Sequence, residues 1–483
     1  MKKQTFKLSD FFLLESDPKI LDYRCKKTNL IVWPILRDEF LNLVISKLFY
    51  DGKLSNYDVK SNFVTKLISL FKLINVSLFF KNLFFSFKKK DILYFKIGYP
   101  EINLNNKVFN KNIDYFISLN KNNYISLSRS QNFSFFKNYF DKETYYLGFK
   151  ENIINLFSRY GKTNQNVSKD ITLYLVKKIK KIFNIKLNDL EVHRLIKYNS
   201  IKINSIEKKI DFYKKLINKI KPKLAIIENA SYSQNAILNY VLHNSGVHIA
   251  EPQHGLISKG HRNYNFSSLI RNNRKYKMFL PDDLLSYGSY WSKSINTPLK
   301  KYNIGSPSRT QNKEIKNKEH KVKKILLVSN GINLHTLPNL AKKLFFLLNK
   351  KYEVIIRPHP IEKNIKLYGS SKFSNYFKID KEKNVYKSLA DKDVVIAEMT
   401  TVLYESLNIV PKILMLRTKK SMFNIPDHPF QEIKSLDQVI KKIKANENFN
   451  NKIKLNTVFK NDWEKNFQIY LKQKLQIKKK ISY

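Results

Sequence analysis

Between Lys323 and Leu416 the chain reads KKILLVSNG (323–331), LPNLAKKLFFLLNK (337–350), YEVIIRPHP (352–360), NVYKSLADKD (384–393), DVVIAEMTT (393–401), VLYESLNI (402–409) and KILML (412–416). Short runs of apolar, largely β-branched residues alternate with segments of helical spacing, and the runs break into polar or Gly/Pro-bearing loops. Strands apolar on both faces belong in a parallel sheet covered by helices on both sides, so this stretch predicts a Rossmann-like domain over 322–445. The same rhythm occurs upstream. ILYF (92–95) and YISLS (124–128) read as strands, and 153–221 as Lys-studded helices stopped by Pro222. LAIIEN (224–229) then reads as a buried strand, SYSQNAILNYVLHNSG (231–246) as a helix closed by Gly246, and VHIAEPQHG (247–255) as strand then loop. The fold class expected is therefore α/β, with a first Rossmann-like domain over 91–306, a polar Lys-rich linker near 307–321 and the second domain after it. Ligands of such folds sit at the carboxyl ends of the strands, which places the site in a cleft between the two domains. Residues 1–90 read as a helical extension with no recognisable chemistry, and 446–483 as a helical segment closing the chain.

Composition narrows the function. The chain has 483 residues, a formal charge of +50, 43% hydrophobic and 13% aromatic residues, and a single cysteine, Cys25. That apolar content excludes a disordered basic tail as the whole protein, and one thiol excludes a disulfide scaffold or a thiolate metal cluster. Only 11 of the 89 basic residues are arginine. The lysines are spread among Asn, Ile and Phe, as an A+T-rich coding sequence would place them, and no RNA-recognition, zinc-finger or helix-turn-helix pattern accompanies them. A nucleic-acid-binding protein is therefore the weaker alternative, and no specific nucleic acid is expected as a partner. Asp10 and Glu15 interrupt any secretory h-region, which leaves a reducing, cytoplasmic location as the expectation. Phe63–Phe87 is apolar, but Lys66, Lys72 and Lys81 break it well short of the ~18 uncharged residues of a spanning helix. It suits an interfacial helix on an anionic membrane surface, which would hold the protein peripherally on the inner face of the cell membrane.

Glycine is scarce, 11 in all, yet six (Gly246, Gly255, Gly260, Gly288, Gly305 and Gly331) cluster with several of the arginines. This marks a functional stretch. In EPQHGLISKGHRNY (251–264), His254 follows a strand end beside a glycine, where a neutral imidazole is suited to deprotonate a hydroxyl near pH 7; His261 is a second candidate. Gln253, Gly255, Arg262 and Gly305 are assigned to the same acceptor side of the cleft. In IIRPHP (355–360), Arg357 and His359 stand at fixed spacing just past a strand, a pattern suited to a phosphate. Thr400 and Thr401 lie where a strand enters a helix, another anion-favouring position, with Glu405 one turn on, in reach of a ribose hydroxyl. Ser329 and Gly331 close the preceding strand on the same edge. Neither GxxxxGK[ST] nor GxGxxG occurs, and the triplet Asp391-Lys392-Asp393 precedes its strand, which reads as a solvated turn. Neither a metal nor another cofactor is expected.

PQHG with its downstream His and Tyr, LPDDLLSYGSYW (280–291), IGSPSRT (304–310), RPHP and TTVLYES together resemble bacterial surface-polysaccharide glycosyltransferases of the GT-B fold, among them the capsule, polysialic-acid and Kdo transferases and the CDP-glycerol glycerophosphotransferases. The resemblance covers roughly 224–416. It implies transfer from a nucleotide-sugar, CMP- and CDP-linked donors being candidates, to a glycan or lipid-linked glycan. It also implies that His359, Pro360, Arg357, Thr400 and Thr401 face the donor and His254 the acceptor. The family's serine pair stands here as threonines. The remaining alternative is a non-catalytic, membrane-associated scaffold on a degenerate transferase fold.

Overall fold

The computed structural model describes residues 6–50, 87–97, 101–104, 107–120, 123–129, 139–141, 144–312, 314–315, 322–331, 336–348, 351–360, 362, 375–445 and 453–476. Two sheets organise the chain. The first contains β1 (Ile92–Lys96), β4 (Tyr124–Ser128), β5 (Thr144–Tyr146), β6 (Leu224–Ile227), β7 (His248–Pro252), β8 (Asp283–Ser286) and β9 (Lys300–Asn303), while β2 (Glu101–Leu104) and β3 (Lys107–Asn110) form a separate antiparallel hairpin. Its strand order is β5-β4-β1-β6-β7-β8-β9, parallel at each pairing. The second sheet contains β10 (Lys323–Val328), β11 (Tyr352–Arg357), β12 (Lys378–Ile379), β13 (Val394–Ala397), β14 (Lys412–Leu416) and β15 (Gln431–Ile433), in the parallel order β12-β11-β10-β13-β14-β15. The protein is α/β, with two Rossmann-like sheets.

Local sequence explains the elements. β6 and β13 are buried at every position, as strands apolar on both faces must be. Helix Ile206–Ile220 buries Ile206, Ile210, Tyr213, Leu216, Ile217 and Ile220, one stripe at helical spacing; it ends at Lys221 in the left-handed region, φ 52°, immediately before Pro222. One face of the second sheet packs Ile325, Leu327, Ile356 and Ile396 against its own helices. One face of the first packs Ile92, Tyr94, Leu224 and Ile226 against Trp463, Phe467 and Tyr470 of the closing helix Trp463–Gln476. The helix Trp463–Gln476 thus returns to the first sheet, which the chain leaves before β10.

The carboxyl edges of the two sheets meet through their loops. Tyr290, past β8, hydrogen-bonds Tyr404, past β13, at 3.1 Å. Arg309, past β9, donates to the carbonyls of Glu405 and Leu407, so the expected linker begins with a buried interdomain contact. Gly260 lies against the backbone of the second domain, where a Cβ would stand 2.0 Å from the Phe423 carbonyl oxygen. Gly260→Ala is therefore expected to part this contact and lower the melting temperature by several degrees. An unchanged melting curve would show that the two loops do not touch in solution.

Residues 6–50 are no loose extension. Phe11 packs on Phe183 and Phe423, and Phe49 on Phe423, which inserts this segment between the two domains. No helix among the described residues is long and apolar enough to cross a membrane; the apolar stretch Phe63–Phe87 lies, but for Phe87, outside them. The DKD triplet is not a freely solvated turn: Lys324 pairs with Asp391 and its amide donates to Asp393, which fixes the start of β10, and Lys392 is buried.

Candidate functional site

At the carboxyl end of β7, Glu251 lies within the strand and His254 two residues past it, and Tyr232 and Tyr264 close on them. The hydrogen bonds set a direction. Tyr264 donates to Glu251 Oε1 at 2.7 Å, so its oxygen is free to accept from His254 Nδ1 at 3.3 Å. His261 Nδ1 accepts from the Asn263 amide, which leaves its Nε2–H to donate to the Tyr232 hydroxyl at 3.3 Å. Tyr232 in turn lies 3.3 Å from His254 Nε2 and can donate to it. Assigned from this network, the His254 tautomer carries its proton on Nδ1 and its lone pair on Nε2. Burial holds His254 down at about 4 and His261 at about 3, the latter helped by Arg262 and His254, so both imidazoles are neutral at pH 7. Burial pushes Glu251 the other way, up to about 7, against the hydrogen bonds from Ser231 and Tyr264 that favour its charged form.

Sequence reasoning identified the two imidazoles but missed Glu251 and Tyr232. Glu251 was readable in principle: an acidic residue inside a buried strand needs a partner. Tyr232 carried no local signal, because only the fold brings the turn after β6 beside the loop after β7. Gln253 clamps that loop, its side chain donating to the Gly255 carbonyl and accepting from the Tyr287 amide, each at 2.8 Å. Gly255 has open space where a Cβ would stand, so no tight turn requires a glycine there. Arg262 and Gly305 make no hydrogen bond to the imidazoles, though Arg262 is near enough to lower His261. Arg262 binds Asp38, and Gly305, at φ 102°, accommodates Lys460 and Trp463.

On the facing edge, the strand order of the second sheet reverses between β10 and β13, the switch point where Rossmann-like folds hold ligands. Glu362 accepts from Ser329 Oγ at 2.6 Å and from the His359 amide at 2.8 Å, which ties the loops after β10 and β11 together. Ser329 also accepts from the amide of Gly331, whose φ is 85°. Burial lowers His359, so it too is neutral at pH 7; Pro360 beside it is exposed. Thr400 and Thr401 are half-buried at the head of the short helix Val402–Glu405, and Thr400 Oγ1 accepts from the Val402 amide. Arg357 donates through Nη1 to Asp380 and to the Glu382 carbonyl, while Nε and Nη2 have no hydrogen-bond partner among the described residues.

The two edges are linked by charge. Glu228, ending β6, accepts from Ile97, Asn110 and Asn112, and this clamp presents Lys111 from the first domain. Burial lowers the Lys111 ammonium; Glu405 opposes that shift and Arg357 adds to it. Burial raises Glu405, and Lys111, Arg357 and Arg309 draw it back. Three cations thus act on one carboxylate between the two sheet edges. Lys111 was missed in the sequence, where one lysine among so many stands out by nothing.

Two parallel Rossmann-like sheets meeting carboxyl edge to carboxyl edge define the architecture. The fold is GT-B. No family model and no curated protein matches the sequence. Among solved structures, the UDP-GlcNAc 2-epimerase of Methanocaldococcus jannaschii is 11% identical over 79% of this chain and 99% of its own, with a TM-score of 0.42. The wall teichoic acid polymerase TagF is 12% identical over 87% of this chain and 97% of its own, at 0.42. The UDP-GlcNAc 2-epimerase of Neisseria meningitidis, bound to UDP-GlcNAc, is 10% identical over 79% and 99%, at 0.41.

Proposed function

We propose that this GT-B protein is a glycosyltransferase that moves a sugar, or a polyol phosphate, from a nucleotide-activated donor to a surface-polysaccharide or lipid-linked acceptor. The observation that carries this reading is the pairing across one cleft: a neutral, relay-linked imidazole on the first sheet and a cationic cluster at the switch point of the second. In this reading the acceptor oxygen attacks the donor carbon, or phosphorus, and its proton passes to His254 Nε2. The leaving nucleotide phosphate departs with the electron pair of the broken bond. Lys111 and the free edge of Arg357 neutralise its charge, which is the work a metal does elsewhere, so none is invoked. Thr400, Thr401 and His359 supply hydrogen bonds to the same phosphates, and Glu405 to a ribose. A formal charge of +50 suits action beside an anionic leaflet on the cytoplasmic face, where a lipid-linked acceptor would lie.

Titrating CMP, CDP, UDP and GDP against the metal-free protein tests the donor half. One nucleotide is expected to bind selectively, and His359→Ala to weaken it by about tenfold or more, the loss of one to two kcal/mol expected for a buried hydrogen bond. Absence of binding by all four would remove the donor site and favour a non-catalytic scaffold.

A further inference from the structure

A cavity of about 450 Å³ lies inside the first domain, walled in part by the turn that carries Tyr232, and none of the motifs above accounts for it. It opens at the carboxyl ends of three strands. Arg129 follows β4, Glu151 follows β5, and Ser233 belongs to the turn after β6, while helices Trp33–Phe49 and Asp189–Asn204 wall it with Glu39 and Lys202. Its volume is that of a small-molecule site, ~300–1,000 Å³.

The charges in it do not balance. Glu151 is taken by Arg129, with Tyr213 on the same carboxylate, and Glu39 is taken by Lys202 and Tyr198. Arg159 and Lys209 line the same cavity, and the side chain of neither has a hydrogen-bond or ion-pair partner among the described residues. Four cations stand against two carboxylates; Arg159 reaches solvent, which leaves the half-buried Lys209 ammonium without a carboxylate of its own. An unpaired ammonium taken out of water is costly, and the group that offsets the cost is an anion.

We propose that this cavity binds a carboxylate or phosphate group of the acceptor glycan, which makes the acceptor an anionic saccharide; the proposal rests on the transferase reading above. Position supports it. Tyr232, which touches both imidazoles, and Ser233, which lines the cavity, are successive residues, so the cavity and the imidazole pair share the turn after β6. Burial lowers Lys209 to about 8, with Arg129 and Lys202 adding to the shift and Glu151 opposing it, so the ammonium is present at pH 7 and is lost above pH 8.

The experiment titrates glucuronate, glucose 6-phosphate and neutral glucose into the full-length protein and into Lys209→Met, with nucleotide binding measured on both. One or both anionic sugars should bind the wild type and glucose should not, and the stronger of the two names the group. Lys209→Met should bind that sugar at least tenfold more weakly, keep its nucleotide affinity, and melt no lower than wild type, because it removes a half-buried charge that makes no direct ion pair. Wild-type affinity should also fall between pH 7 and 9 while that of the variant stays flat. Equal binding by both proteins, or none by either, overturns the proposal while leaving the transferase reading intact if nucleotide still binds. Anionic-sugar binding without nucleotide binding overturns the transferase reading and the acceptor role with it.

Discussion

Replacing His254 by alanine is expected to lower turnover by about 10²–10⁴-fold, the usual contribution of a positioned general base, with nucleotide affinity unchanged. The separation of effects follows from geometry, since His254 lies in the loop after β7 while the phosphate-facing groups, Lys111 apart, follow strands of the second sheet. Equal loss of binding and turnover would remove His254 from the base role. The partner variant Glu251→Gln tests how an imidazole held at about 4 can act as a base at all. Once Nε2 takes the acceptor proton, Nδ1–H can pass its own through Tyr264 to Glu251, whose value of about 7 makes it the better final acceptor. That carboxylate must be ionised to receive it. Activity should therefore rise with pH through about 7, and Glu251→Gln should be slow and lack this limb. A pH profile of Glu251→Gln matching that of wild type would show that the proton leaves His254 by another route.

The same buried groups bear on acid stability. His254 and His261 have folded values below the ordinary 6.5, so the unfolded chain takes up protons first as pH falls, and stability is lost from about 6.5 down to about 4 and about 3. Glu251 runs opposite, being raised in the fold: its protonation favours the folded state as pH falls through about 7. Two groups against one leave a net loss in acid, which one denaturant series between pH 7 and 5 would show.

The strand and helix pattern was legible because strands such as VVIA and LAII are apolar on both faces, and only a parallel sheet covered on both sides uses such strands. His254 and His261 were legible because imidazoles in a glycine-bearing loop after a strand suggest chemistry. Lys111, Tyr232 and Arg129 were not, since each acquires its meaning from a partner on another element that only the fold brings near: Glu405, the two histidines, and Tyr213. Composition also hid the N-terminal segment. Arg37 and Glu15 sit in an unremarkable helical text, yet they form a buried ion pair, with side-chain exposures of 3% and 0%.

That pair supports the second large effect. Arg37 binds both oxygens of Glu15 and donates to the carbonyls of Arg262 at 2.7 Å and Asn265 at 2.8 Å, with its guanidinium over the ring of Phe266. Glu15 also accepts from Trp33 at 3.1 Å and from the Ser267 amide at 3.4 Å. The loop 261–267, which carries His261 and Tyr264, is thus held from below by residues far earlier in the chain. Arg37→Met leaves a buried carboxylate without its cation and two carbonyls without donors, and breaking a buried pair from one side costs ~3–5 kcal/mol. A drop of this size is expected in urea unfolding, together with faster amide exchange across 261–267. Adding Glu15→Gln removes the stranded charge while keeping one acceptor oxygen, for Trp33 or for Ser267, so the double variant should recover part of the loss. A single-variant loss below about 1 kcal/mol, the level of an exposed ion pair, would mean that this segment merely rests on the loop. A loss of the larger size with partial recovery makes residues 6–50 the base on which the relay is built, so that truncating them should silence His254 as surely as replacing it.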